Sequence, residues 1–179
     1  MRVLDPTPLQ RALGLAPEKA SARLERPEKE FFVFKIGPLM LGVASVNARE
    51  VTRLGVITPL PRAASFVMGV AGHRGEVLPV IDLLRFFAQG ESRAGLRTLC
   101  FIGVHGSIAA AFVADEVVGL RKVFVADILP APVGGEIPSE HVQGVIYETG
   151  PGQTGGKETV TLLDLPRVLQ TSRQRAVSR

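Results

Sequence analysis

The chain has 179 residues, of which 46% are apolar and 21% charged, so it is long enough for one domain or for two small subdomains with a shared core. Its one cysteine, Cys100, excludes a disulfide framework and a cysteine-based zinc site, and the apolar run around it predicts a buried side chain. The last thirteen residues hold four arginines and no acid, while the rest holds 17 basic and 17 acidic side chains, which excludes a basic face on the folded body.

Residues 1–29 are rich in proline and charge, and they predict an N-terminal extension with one short helix near residues 7–15. From residue 31 onward, glycine and proline interrupt almost every apolar run, which is typical of many short strands. Helical turns are predicted at 83–87 and 165–170, and residues 172–179 are predicted to form a basic C-terminal tail with a solvated, frayed end. The predicted strands cover residues 31–36, 39–44, 49–54, 66–71, 75–82, 97–104, 107–114, 117–124, 142–147 and 158–163.

The N-terminus lacks the apolar core of a secretion signal, and no apolar run approaches the roughly 20 residues of a transmembrane helix. The sequence therefore predicts a cytoplasmic protein without direct membrane insertion. Nucleic-acid binding is not expected of the neutral folded body, and it stays open only as an alternative in which the arginine-rich tail makes the contacts.

The two halves of the chain repeat the same order of motifs. Ile57 corresponds to Ile128, Gly69 to Gly144 and Asp82 to Asp164, and the growing offset predicts an inserted glycine-rich hairpin loop at 148–157. Ten short strands in two similar units predict an all-β fold of two small barrels with a common apolar seam. The predicted folded domain covers residues 30–171.

The stretch 72-GHRGEVLPVID-82 carries the most chemistry in the chain. A phosphate-binding loop would need a strand that leads into a helix, whereas these glycines lie between two apparent strands. Gly72 and Gly75 are therefore predicted to shape a tight hairpin turn that presents Arg74 at its tip. A guanidinium held there suits pairing with a carboxylate, either Glu50 of the same chain or an acidic group on a partner.

An enzymatic alternative of the hydrolase type would use His73 with Asp82. The sequence offers no nucleophile beside a base and no metal-ligand spacing, so neither catalytic nor metal-binding residues are predicted. Asp82 and Asp164 each follow a strand and precede a helical turn, which favours a role as helix caps.

The motifs EFFVFKIG, VNAREVTRLGVITPLP, FVMGVAGHRGEVLPVIDL and ADEVVGL resemble the CheW family of bacterial chemotaxis coupling proteins over residues 30–170. The resemblance implies two SH3-like five-stranded β-barrels and a non-enzymatic adaptor without cofactors. It implies two partners, the regulatory domain of a CheA-type histidine kinase and the cytoplasmic tip of a chemoreceptor. The positions that match the family's receptor groove are Ala48, Glu50, Arg74, Leu99 and Ala110.

The chain departs from the family pattern at the turn, where 72-GHRG-75 stands in place of Asn-Leu-Arg-Gly, and at Leu84. His73 stands where a leucine is common, and Leu84 stands where the family has an arginine. His73 is therefore a candidate for setting partner choice. Because of these departures and the long N-terminal extension, an alternative stays open: a CheW-like protein of a divergent pathway, for example one that controls gliding motility.

Overall fold

The computed structural model describes residues 26–93, 98–149 and 157–177. Within them the chain forms ten strands and two α-helices, with 3₁₀ turns at Ser45–Asn47, Val125–Asp127 and Ser139–His141. Helix α1 covers Leu83–Phe86 and α2 covers Leu165–Val177. The strands are β1 (Glu28–Ile36), β2 (Leu39–Ala44), β3 (Ala48–Arg53), β4 (Val67–His73), β5 (Glu76–Ile81), β6 (Leu99–His105), β7 (Ile108–Val113), β8 (Glu116–Phe124), β9 (Val142–Thr149) and β10 (Lys157–Leu163).

The strands form two five-stranded sheets, which confirms the predicted all-β class with two five-stranded units. Sheet 1 has the order β8-β1-β2-β10-β9, and sheet 2 has the order β3-β6-β7-β5-β4. Each sheet therefore combines a hairpin from one half of the chain with three strands from the other half. One half of the sequence therefore does not form one sheet. The β1–β2 hairpin of the first half joins the sheet of the second half, and the β6–β7 hairpin of the second half joins the sheet of the first half. Replacing every strand by its counterpart in the other half converts one sheet order into the other.

The repeat is visible in atomic detail at two glycines. A Cβ atom added to Gly69 would press on the carbonyl oxygen of Thr58, and one added to Gly144 would lie 2.6 Å from the carbonyl oxygen of Leu129. Both close approaches arise because a passing segment forms a bridge with the next residue, Thr58 with Val70 and Leu129 with Val145. Glycine is needed at both places since a side chain would separate the bridged segments.

We expect Gly144→Ala to lower the free energy of unfolding by about 1.5 kcal/mol, the cost of overpacking a site that cannot relax. The new methyl group would meet the Leu129 carbonyl, and β9 cannot shift without losing the paired backbone hydrogen bonds of 2.9 and 2.8 Å between Leu129 and Val145. Urea denaturation measures the loss. Gly55→Ala is the control, because a Cβ there meets no atom within 4 Å. Equal losses in the two variants would contradict this account.

The two sheets share one apolar core. Phe32 and Phe34 on β1 contact Phe101 on β6, with ring centroids 5.4 and 4.7 Å apart, and Phe101 stacks on Phe112 at 5.1 Å. Because β1 belongs to sheet 1 and β6 to sheet 2, these rings form the seam between the sheets. Offset and tilted ring contacts add to the burial of large apolar area, so neither sheet has to be stable alone.

Helix α2 is longer than the six residues predicted. It continues to Val177, so the described part of the predicted tail, residues 172–177, is helical instead of frayed. Ser172 is buried, and the Arg175 guanidinium lies 4.9 and 4.7 Å from the ring centroids of Phe66 and Phe86. It also donates a hydrogen bond of 3.2 Å to the Phe86 carbonyl oxygen. Cation–π contacts of Arg175 thus hold the C-terminal part of α2 against the core, although its polar composition had predicted a solvated end.

Two further predictions concern residues outside the described ranges. The short helix predicted near residues 7–15 lies entirely outside them. Residues 150–156, which make up most of the predicted glycine-rich loop, also lie outside them. Among the residues that are described, no helix has both the length and the apolar character needed to cross a bilayer.

Candidate functional site

The β4–β5 hairpin closes with a two-residue turn at Arg74 and Gly75. His73 pairs with Glu76, and the φ angles of Arg74 and Gly75 are 48° and 83°. Two positive φ angles define a type I′ turn, whose twist matches that of the strands, and they explain the glycine at the second position. Gly72 differs from the prediction that it shapes the turn. It lies within β4, its φ is not in the left-handed region, and an added Cβ would meet no atom within 4 Å.

Three charged or polar side chains converge on the carboxylate of Glu50. Arg74 Nη2 lies 2.9 Å from Glu50 Oε2, and His73 Nε2 lies 3.0 Å from Glu50 Oε1. Arg49 Nε lies 3.9 Å from Glu50 Oε1. Arg49 Nη2 also pairs at 2.8 Å with Oε2 of Glu76, which directly follows the turn. The pairing of Glu50 with Arg74, which the sequence left open, is therefore made within the chain. These five residues are called the charge cluster below.

Burial differs across the charge cluster. The side chain of Glu50 is 19% exposed and that of His73 13%, whereas Arg74 is 76% exposed. The carboxylate and the imidazole are thus held in the fold, while the guanidinium reaches into solvent. One ion pair orients Arg74, and much of its remaining hydrogen-bonding capacity faces outward.

The electrostatics favour the ionised carboxylate. The hydrogen bond with His73 lowers the pKa of Glu50 below its ordinary value of 4.5, and the charges of Arg74, His73 and Arg49 lower it further, while burial acts in the opposite direction. Glu50 is therefore an anion throughout the neutral range.

The lowered pKa makes a testable statement about stability. A carboxyl group with a depressed folded pKa stabilises the fold above its unfolded pKa, and the contribution disappears as pH falls through the folded pKa. We expect the wild type to be more stable than Glu50→Gln at neutral pH, where the carboxyl group of Glu50 is ionised. The difference in stability should shrink as pH falls below 4.5, the ordinary pKa of the group. Urea unfolding across a pH series measures it. A difference that stays constant to pH 3 would contradict the pairing of an ionised Glu50.

All five positions of the implied receptor groove lie on or beside sheet 2. Ala48 and Ala110 both pair with Gly103, one from each side, so they form one row across β3, β6 and β7. Leu99 lies at the start of β6, opposite Arg53, away from that row. The structure thus brings Glu50 and Arg74 into contact and aligns the two alanines.

Ala110 is not a surface position in this conformation. It is 2% exposed, and it lines a cavity of about 420 Å³ between sheet 2 and α2. Leu169, Ser172 and Ala176 of α2 form the opposite wall of this cavity.

Sequence reasoning missed the link between Arg49 and Glu76. It assigned no role to either residue. The sequence does show that Glu76 directly follows the turn glycine. The ion pair with Arg49 also requires β3 to lie beside the β4–β5 hairpin, and the alternation of apolar and polar residues along a strand does not predict that arrangement.

Leu84, which stands where the family has an arginine, is part of the apolar core. Leu84 is 5% exposed and packs against the β1–β2 turn, where its Cδ1 would be 3.0 Å from a Cβ added to Gly37. A partner could not contact Leu84 without unfolding α1. His73 is left as the departure that lies beside the exposed Arg74.

The hydrolase alternative finds no support in the geometry. The Asp82 carboxylate is fully buried, and it accepts hydrogen bonds from Leu84 N at 2.9 Å and from the backbone N and Oγ of Ser92, both at 2.7 Å. His73 instead pairs with Glu50. Burial raises the pKa of the Cys100 thiol to about 12, which keeps it unreactive. Within the described ranges, no group of three or more His, Cys, Asp or Glu side chains is placed to hold a metal ion.

The edge strands of sheet 1 are also joined by an ion pair. Arg121 Nε on β8 lies 3.3 Å from Glu148 Oε1 on β9, and these strands correspond to β3 and β4, which His73 and Glu50 join in sheet 2. The acidic member of the pair is on β3 in sheet 2 and on β9 in sheet 1, so the two pairs carry their charges in opposite order.

Comparisons with known proteins agree with this architecture. The model of the CheW-like domain family matches residues 30–173. The chain is 55% identical to protein FrzA of Myxococcus xanthus over 165 residues, which are 92% of this chain and all of that protein. It is 25% identical to the chemotaxis protein CheW of Rhizobium meliloti over 73% of this chain and 85% of that protein. The crystal structure of the scaffolding protein TtCheW from Thermoanaerobacter tengcongensis superposes with a TM-score of 0.66 and 22% identity, covering 78% of this chain and 86% of that one.

Proposed function

The chain belongs to the CheW-like domain family, and on that premise we propose that it is the coupling adaptor of a signalling pathway that has diverged from standard chemotaxis. It is a CheW-like coupling protein and not an enzyme. In the proposed role it binds the regulatory domain of a CheA-type histidine kinase and the cytoplasmic tip of a receptor, and it works in the cytoplasm. A pathway that controls gliding motility is one example.

One observation carries the binding role, namely the way in which Arg74 is presented. The type I′ turn fixes its backbone, and Glu50 fixes one edge of its guanidinium at 2.9 Å, yet the side chain is 76% exposed. An ordered and exposed arginine loses little conformational entropy on binding, which is typical of an interface anchor. An acidic or carbonyl-rich partner surface provides the matching acceptors.

The divergence of the pathway is supported by two observations. The identity of 55% to protein FrzA is about twice the 25% identity to chemotaxis protein CheW of Rhizobium meliloti and of Klebsiella aerogenes. In addition, His73 is hydrogen-bonded to Glu50 and adjoins Arg74, so the residue that replaces the usual leucine lies inside the charge cluster. Replacing an apolar side chain by imidazole there changes which partner surface is accommodated.

The nucleic-acid alternative is weakened by the packing of the C-terminal helix. Arg175 lies against Phe66 and Phe86, and Arg167 donates a hydrogen bond of 3.1 Å to the Glu140 carbonyl oxygen. Two of the four arginines in the last thirteen residues are therefore engaged within the chain. Too few remain for the clustered phosphate contacts that such binding requires.

The direct test is affinity purification of the tagged protein from its native lysate, with mass spectrometry of what is retained. The proposal expects a histidine kinase and a receptor with the wild type, and reduced amounts with Arg74→Ala. Retention of nucleic acid with neither protein partner would overturn it. Dominant recovery of the general chemotaxis receptors would refute the divergent pathway while leaving the adaptor role intact.

A further inference from the structure

A β-bulge in β3 directs two consecutive side chains toward the β4–β5 hairpin. The register of β3 against β6 shifts between Ala48 and Glu50, so Arg49 is the extra residue on β3. Consecutive residues of a regular strand point to opposite faces, whereas a bulge redirects one of them. Arg49 and Glu50 therefore both reach the hairpin. Arg49 pairs there with Glu76, and Glu50 pairs with Arg74.

The fold does not require a charged residue at this bulge. Strand β8, which occupies the place of β3 in the other sheet, has the same shift in register, between the partners of Val33 and Phe34. The extra residue on β8 is Val118, and it packs against buried apolar side chains of sheet 1. The same backbone feature thus accommodates valine in one sheet and arginine in the other, so the fold alone does not explain Arg49.

Four residues of the charge cluster line an open cleft of about 330 Å³, namely Arg49, Glu50, Arg74 and Glu76. Arg49 and Arg74 approach different oxygens of the Glu50 carboxylate, at 3.9 and 2.9 Å. The two guanidinium groups thus flank one carboxylate, and Glu76 pairs with a second nitrogen of Arg49, Nη2. Two guanidinium and two carboxylate groups cancel in charge, so the lining of the cleft is neutral as a whole.

The two carboxylates differ in how firmly they are held. Glu50 is 19% exposed and contacts Arg74, His73 and Arg49. Glu76 is 55% exposed, and in the part of the chain that the structure describes its carboxylate pairs with Arg49 alone. An ion pair that is so exposed stabilises a fold little. Glu76 can therefore release Arg49 at small cost, while Glu50 stays in place.

A carboxylate from another protein suits the cleft once Glu76 has turned away. The side chains that remain, two arginines and Glu50, carry one net positive charge. Both guanidinium groups then have donors left, and a guanidinium binds a carboxylate through two parallel hydrogen bonds. Because Glu50 stays in the cleft, the single charge of a carboxylate fits better than the nearly two charges of a phosphate group.

We propose that Glu76 is an internal competitor of the receptor. In the free protein it occupies Arg49, and on binding an aspartate or glutamate side chain of the receptor replaces it and pairs with Arg49 beside Arg74. Glu76 thereby lowers the affinity of the site and rejects surfaces without a well-placed carboxylate. This inference rests on the proposed adaptor function and deepens it, because it names the chemical group that the partner contributes.

Isothermal titration tests the proposal with the purified cytoplasmic fragment of the receptor that affinity purification recovers. Full-length Glu76→Gln should bind this fragment about fivefold more tightly than the wild type, which equals about 1 kcal/mol, the most that an exposed ion pair contributes. Arg49→Gln should bind about fivefold more weakly. In the Arg49→Gln background, Glu76→Gln should change the Kd less than about twofold, because the pair that it breaks is already absent.

Glu158→Gln is the matched control. Glu158 occupies on β10 the place of Glu76 on β5, it is 40% exposed, and it pairs with Lys35 at 3.8 Å. Its substitution removes the same charge and should leave the Kd unchanged. The proposal is overturned by unchanged or weaker binding of Glu76→Gln. It is also overturned by an equal gain in both backgrounds or with Glu158→Gln, since net charge would then explain the effect.

Arg74→Ala separates this inference from the function on which it rests. If Arg74→Ala weakens receptor binding and Glu76→Gln does not strengthen it, the competitor role is refuted and the adaptor function stands. If the wild type recovers no receptor at all, the receptor-binding function fails and the competitor role fails with it. Urea unfolding of each variant shows that a changed Kd does not arise from loss of the fold.

Discussion

Replacing Arg74 with alanine should weaken binding of the kinase or the receptor by about 1–3 kcal/mol, or roughly 5- to 150-fold in Kd, while the fold remains intact. In the proposed interface the loss is large because the variant would remove an ordered donor group, and the acceptor groups of the partner would be left without a match. The fold survives because Arg74 is 76% exposed, and an exposed ion pair contributes at most about 1 kcal/mol to stability.

Isothermal titration of the purified partners against wild type and variant measures this effect. Arg74→Asn is a second variant, because asparagine tolerates the positive φ of 48° better than alanine does. Arg121→Ala is the charge-matched control, since it removes an arginine from an ion pair at the edge of sheet 1. A folded Arg74→Ala protein with an unchanged Kd would remove Arg74 from the interface. An equal loss with Arg121→Ala would show that net charge, and not the turn, governs binding.

The strands were predictable because this chain marks their ends strongly. Glycines at 37, 75 and 106 occupy hairpin turns with positive φ, and apolar, β-branched runs lie between such positions. What the pattern did not supply was the pairing partner of each strand. The parallel contact of β10 with β2 joins residues about 120 positions apart, such as Thr161 and Leu41, and no local propensity specifies it. The exchange of hairpins between halves was therefore visible only in the structure.

The candidate site was predictable in part for a similar reason. A two-residue turn with glycine in second place indicates a type I′ hairpin, so the presentation of Arg74 follows from sequence. The contact between Glu50 and Arg74 depends on how β3 approaches β4, and both strands lie at the edges of sheet 2. The C-terminal helix was underestimated because Arg175 counts as polar in any pattern, although its guanidinium packs on two rings.

Asp82→Ala should lower the free energy of unfolding by about 3 kcal/mol, well above the effect of Asp164→Ala at the corresponding position. The two aspartates begin corresponding helices, and each accepts a hydrogen bond in the first turn, Asp82 from Leu84 N and Asp164 from Arg167 N at 3.1 Å. Asp82 is fully buried and also receives the backbone N and Oγ of Ser92. Its loss leaves several buried donors unsatisfied, each at a cost of about 1–3 kcal/mol.

Asp164 contributes less to stability. Its side chain is 31% exposed, so water can donate to or accept from the groups that the aspartate leaves behind. Loss of an N-cap alone costs about 1 kcal/mol. Chemical denaturation of the two alanine variants therefore separates capping from the additional anchoring of residues 91–93 by Asp82. Asp82→Asn should fall between them, because an amide keeps one acceptor oxygen and the shape of the side chain. Equal losses at positions 82 and 164 would show that Ser92 adds nothing, and that the repeat is symmetric in energy as well as in topology.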